Sequence, residues 1–153
     1  MTLFSRHQLR YALYMVGFLV LCLALMELTG NNQSFNGGWY KAVLQTLAPI
    51  VILFLGIKNK RDMFGGVMTW KDGFKEGFGI ALWFALISPI VFLLYYLLIN
   101  IDIVSWVRDT YMLSTTTSTA RVIGIDLIVQ IVSSLVLFGV VISTIASLIL
   151  KRR

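Results

Sequence analysis

Residues 58–79 read KNKRDMFGGVMTWKDGFKEGFG, and Ile80–Ile99 follows as twenty residues without a single charge. An α-helix rises ~1.5 Å per residue and a bilayer core is ~30 Å thick, so a run of that length matches lipid better than a globular core. The basic, glycine-broken stretch ahead of it reads as a loop feeding a membrane helix. Within that loop Gly65-Gly66 is the expected turn. Thr69 followed by Asp72 has the spacing of an N-cap with an acid favouring the helix N-terminus, which starts the helix near Trp70.

Working outward, the chain contains three more apolar runs. Residues 1–10 (MTLFSRHQLR) are short and basic, and Tyr11–Met26 carries no charge. A secretory signal begins in this way too, but the run exceeds the ~7–15 residues of a signal core, and Ala24-Leu25-Met26 before Glu27 is a poor cleavage site. The expectation is an uncleaved helix over about 9–28, stopped by Thr29-Gly30-Asn31-Asn32. A second helix is expected over about 40–57, kinked at Pro49, with Trp39 and Tyr40 at headgroup level. The third covers 70–99 and the fourth 122–150, the last ending in Lys151-Arg152-Arg153. Between them, Ile103, Val104, Val107 and Tyr111 share one helical face while Asp102, Ser105, Arg108 and Asp109 share another, a pattern suited to a short interfacial helix. The fold class is therefore all-α: a single four-helix transmembrane domain, residues 1–153.

Charge supports lipid as the solvent. Of 153 residues 58% are hydrophobic and 13% charged, where a soluble domain carries about 25% charged residues. The net charge of +6 does not point to nucleic acid, because the basic residues cluster at the ends of apolar runs. Ten of the thirteen Lys and Arg fall on the side shared by both termini and the central loop; only Lys41, Arg108 and Arg121 fall on the other. The positive-inside rule then places both termini and the central loop in the cytoplasm.

Gly73, Gly77, Ala81, Ala85 and Pro89 recur at intervals of four, a stripe of small or compact residues that lets helix backbones approach closely. Packing within the bundle and a homodimer seam are the two uses of such a stripe. On the fourth helix Gln130, Ser133, Ser134, Gly139, Ser143 and Ser147 invite interhelical hydrogen bonds, with a polar pore lining as the other reading.

Chemistry has few places to reside. Glu27 and Asp126 are the ionisable groups inside apolar segments, ~25 Å from Arg10 and ~37 Å from Lys151 along their helices, so both fall near the outer interface. As anchors, Glu27 would pair with Lys41, and Asp126 with Arg121 or water. The sharper reading is an outward vestibule of Glu27, Asp126 and Gln130 that takes up a cation or proton. Cys22 lies in an apolar run, and His7, between Arg6 and Arg10, reads as a juxtamembrane surface residue rather than a ligand. No catalytic constellation, metal set or cofactor motif is legible, and an enzyme is not expected.

Gly56-Ile57-Lys58-Asn59-Lys60-Arg61-Asp62 and Gly65–Gly77 (GGVMTWKDGFKEG) resemble a family of bacterial membrane proteins, domain-of-unknown-function family 4199. Members share a helix ending in Gly-Ile with an Arg-acid pair, a Gly-Gly turn, a Thr/Ser-aromatic helix start and four helices. The resemblance implies a small bacterial inner-membrane protein and no activity, cofactor or catalytic residue; in that setting the Asn32-Gln33-Ser34 sequon carries no weight. The expected partners are membrane lipid and a second copy or a larger membrane complex. A structural or accessory component is the first functional expectation, and a small oligomeric transporter or channel for a cation or small solute the second.

Overall fold

The computed structural model describes residues 5–28, 39–99, 108–109, 111–114, 116 and 118–150; the side chains at 26–28, 39–45, 96–99 and 120 lie outside the description. Four helical rods account for almost all of it: α1 (Arg6–Leu28), α2 (Trp39–Met63), α3 (Trp70–Ile99), and α4, which runs from Thr119–Ser134 through a π-helical stretch, Leu135–Ile142, into Ser143–Leu150. Backbone angles stay helical at both joins of α4 (Leu135 φ −65°, ψ −40°; Ser143 φ −64°, ψ −36°). Among the described residues, three helices are long and apolar enough to cross a membrane, over Arg6–Leu25, Trp70–Tyr95 and Arg121–Leu150.

The central connection is shorter than the sequence suggests. Instead of stopping at Ile57, α2 continues through Lys58-Asn59-Lys60-Arg61-Asp62-Met63, because lysine and arginine are good helix formers and favour the negative end of the helix dipole. The stop is a Schellman turn: Gly66 N–H donates to Arg61 O and Gly65 N–H to Asp62 O, both at 3.1 Å. Gly65 (φ 74°) and Gly66 (φ 83°) supply the left-handed backbone that this turn demands. Thr69 then caps α3. Its Oγ1 accepts from Asp72 N–H (3.2 Å) and donates to Asp72 Oδ2 (2.6 Å).

α3 is the central rod, in contact with each of the other three. Its small residues meet the small residues of α4. Gly73 faces Ser147, Gly77 faces Ser143, and Gly139 of α4 faces Phe78 and Ala81 of α3. A Cβ on Gly77 would sit 2.6 Å from Ser143 Oγ and 2.8 Å from Ile57 Cδ1, and one on Gly73 would sit 2.8 Å from Ser147 Cβ. The stripe Gly73, Gly77, Ala81, Ala85, Pro89 is buried along its whole length inside the chain. Ser143 and Ser147 are buried as well, but their hydroxyls donate to carbonyls of their own helix, Phe138 O (2.7 Å) and Thr144 O (2.9 Å), as Ser133 does to Gln130 O (3.1 Å). The interhelical hydrogen bonds expected of these serines are thus replaced by back-bonding, which hides the hydroxyl while leaving the contact face flat.

The π-helical stretch keeps this face in phase. Val122, Asp126, Gln130, Ser134 and Phe138, and then Gly139, Ser143 and Ser147, advance in steps of four, and such a row drifts round a helix of 3.6 residues per turn. The wider turn absorbs the drift, with Ser143 N–H reaching back five residues to Phe138 O. Around the seam a core of Ala12, Met15, Leu53, Ile57, Ile80, Ala81, Phe84 and Phe138 is closed from water and lipid alike, with Phe84 and Phe138 edge to face at 5.5 Å. Outward faces are apolar: Leu13, Leu21, Leu55, Ile90, Leu94, Ile128, Ile145 and Ile149 are all exposed.

Gly77→Ala is expected to destabilise the protein by about 1–3 kcal/mol through overpacking against Ser143. Gly17→Ala, where a new methyl meets nothing within 4 Å, should be neutral or stabilising. Thermal unfolding in detergent measures both, and Ser143→Gly should recover part of the Gly77→Ala loss. Equal behaviour of the two alanine variants would contradict the close contact.

Candidate functional site

Polar side chains are buried at both ends of the bundle. At the end holding the α1 N-terminus, Ser5 and Gln8 form a capping box: Gln8 N–H donates to Ser5 Oγ (3.2 Å) and Ser5 N–H to Gln8 Oε1 (3.0 Å). The same Gln8 side chain is 2% exposed and points its amide at α3, where Nε2 donates to Glu76 Oε2 (3.2 Å). His7 completes the group, its Nδ1 2.6 Å from Glu76 Oε1. Gly79 makes the approach feasible, since a Cβ there would fall 2.4 Å from the Gln8 amide carbon.

Glu76 is 2% exposed, so its carboxyl has exchanged water for these two donors. The short His7–Glu76 contact ties the first turn of α1 to α3 through an imidazole nitrogen and a carboxyl oxygen. His7 Nε2 is buried and has no hydrogen-bond partner among the described residues. His7 is therefore not the surface residue that its basic neighbours suggest: it is 14% exposed and locked to α3. Nothing local signals this, because 69 residues separate His7 from Glu76. The one sequence clue is Ser5-x-x-Gln8, which marks a helix start.

At the other end, Asp126 is 4% exposed on α4. Gln130 Nε2 donates to its Oδ2 at 2.6 Å, and Tyr111 O–H approaches Oδ1 at 3.4 Å. The expected Arg121 partner is exposed and is not what holds it. Tyr111 is brought in by a chain reversal in which Leu113 N–H donates to Arg108 O (2.8 Å) and Met112 adopts φ 51°. Tyr111 and Leu113 then pack with Phe92, Leu93 and Tyr95 around the fully buried Val122. Burial, and after it the Asp126 carboxylate, raise the Tyr111 phenol above its ordinary pKa. Of the proposed vestibule, Asp126 and Gln130 are together, while the Glu27 side chain and its Lys41 partner lie outside the described residues. The interfacial helix expected before α4 also falls largely outside them.

No group of three or more His, Cys, Asp or Glu side chains able to hold a metal exists among the described residues. Cys22 is buried in α1 among apolar neighbours. These features define an all-helical protein with three helices able to cross a membrane and a polar cluster at each end. Residues 10–152 match the family model described as "Protein of unknown function (DUF4199)", and the chain belongs to that family. No curated protein and no solved structure matches it.

Glu76→Leu strands the Gln8 amide and the His7 imidazole together and is expected to cost about 1–3 kcal/mol in detergent unfolding. His7→Ala should cost less, since it lies at the edge and leaves Gln8 in place. A Glu76→Leu variant as stable as the parent would show that the cluster carries no structural weight.

Proposed function

We propose that this protein is a multi-pass, non-enzymatic component of the bacterial cytoplasmic membrane, structural or accessory in role, with four crossings and both termini cytoplasmic. The observation that carries the reading is the separation of its polar groups. Glu76 on α3 and the Tyr111–Asp126 group beside Phe92 are ~24 Å apart along the helix axis, and the layer of Met15, Leu53, Ile80, Phe84 and Phe138 between them is buried and apolar. A closed apolar layer supports a scaffold rather than a conduit.

The fourth crossing is supported by α2, which buries Leu53 and Ile57 in the shared core while Leu47, Val51 and Leu55 face outward. Orientation rests on the ten-to-three distribution of basic residues. Because the small-residue stripe is consumed inside the chain, a second copy or a larger complex would meet an outward face. Of α1, α3 and α4, the last offers the most, its apolar span being 17% buried against 39% for α1 and 44% for α3. Lipid is the resident partner, and neither nucleic acid nor a cofactor enters the reading. The buried Asp126–Gln130 pair favours one alternative, a small oligomeric transporter or channel for a cation.

Reconstituted into proteoliposomes, the protein should give cation and proton flux no higher than empty vesicles, and purification in mild detergent should recover it with a stoichiometric partner or second copy. Flux abolished by Asp126→Asn would overturn the scaffold reading in favour of the transporter. A lone monomer would count against the accessory role.

A further inference from the structure

We propose that the groove between α1 and α2, at the end holding the His7–Glu76 cluster, is a binding site for the headgroup of an anionic phospholipid. The groove is open-sided, offers about 540 Å³ and is lined by Tyr11, Tyr14, Ile52, Leu55, Lys58, Asn59 and Asp62. That volume lies within the roughly 300–1,000 Å³ of small-molecule sites.

Its two parts differ in chemistry. Ile52 and Leu55 form an apolar wall deeper along α2. Lys58, Asn59 and Asp62 form a polar rim one and two turns further on, where the helix leaves its apolar run. An amphipathic molecule standing in the bilayer presents the same sequence of chemistry along the same axis: acyl chain, then charged headgroup.

The rim is rich in hydrogen-bond donors. Tyr11 Oη accepts from Asn59 Nδ2 (2.8 Å) and Tyr14 Oη accepts from Arg10 Nε (2.6 Å), so each phenol keeps its own O–H to donate. These bonds also hold both rings in place, with Arg10 5.6 Å from the Tyr14 ring centroid. Lys58 adds an exposed ammonium. The one acid of the rim, Asp62, is engaged by Arg61, whose Nε and Nη2 reach Oδ1 at 3.1 and 2.8 Å. With Asp62 matched by Arg61, Lys58 is the unmatched charge of the lining, and Arg10 stands beside it on Tyr14 rather than in the lining itself. Two phenols and one ammonium at the opening, with a guanidinium next to them, suit the oxygens of a phosphodiester.

The assignment rests on the membrane reading, which the need for detergent during extraction checks separately. The full-length protein, delipidated in detergent, is mixed with equal amounts of dioleoyl phosphatidylglycerol and dioleoyl phosphatidylethanolamine, and adducts are counted by native mass spectrometry. One phosphatidylglycerol per chain should be preferred by roughly 5–10-fold. The Tyr14→Phe, Lys58→Gln double variant should lose that preference without a change in melting temperature. Lys75→Gln, an exposed basic residue outside the groove, should retain it. Equal adducts of the two lipids, a preference that survives in the double variant, a loss as large in Lys75→Gln, or equal occupancy by soluble glycerol 3-phosphate would each overturn the proposal.

Discussion

The close approach of α3 to α4 is the constraint on which the other contacts depend. In lipid, apolar side chains gain little by leaving one oily environment for another, so helices associate through dense packing and through whatever polar contacts they can satisfy. Gly73 and Gly77 remove the Cβ atoms that would hold the helices apart, and Ser147 and Ser143 fill the space with side chains of one heavy atom beyond Cβ. Those serines are neutralised by their own backbone. The Phe138 carbonyl receives both the Ser143 N–H and its hydroxyl, so a buried polar group and a π-helical turn satisfy each other.

With that seam closed, the buried ionisable groups stand at the ends, while the polar side chains buried between them are serine hydroxyls such as Ser88. His7 and Gln8 stand in the first turn of α1 and Glu76 in the second turn of α3, so they meet only because α1 packs against α3 in register. The same face of α1 carries Tyr11 and Tyr14, the Tyr11 ring 4.9 Å from the His7 ring and both phenols lining the groove with α2. One helix end thereby does two things: it buries a carboxyl against α3 and presents phenols toward α2. The Asp126 group is independent of this, built from α4 and the segment that precedes it.

The sequence was most legible where one residue type acts locally. The four-residue spacing from Gly73 to Pro89, the Thr69-Asp72 cap and the Gly65-Gly66 turn are short-range features with direct backbone consequences. Asp126 and Gln130 were legible as neighbours because residues four apart share a helix face. The extension of α2 to Met63 was not, since a basic run marks the edge of the lipid and says nothing about where the helix stops. The His7–Glu76 contact was hidden for a different reason: it depends on the register of two helices separated by a third. The back-bonding of Ser133, Ser143 and Ser147 was equally hidden, because a serine's composition is compatible with either partner.

The seam is tested most directly by covalent capture. Ala81 Cβ and the position a Cβ would take on Gly139 are 3.6 Å apart, within the ~3.5–4.5 Å that a disulfide spans. In native membranes, with Cys22 replaced by alanine, Ala81→Cys combined with Gly139→Cys should oxidise to a crosslink within one chain, running as a monomer on a non-reducing gel. A crosslink found only between two chains, or none at all, would contradict a bundle held together by its own α3–α4 contact.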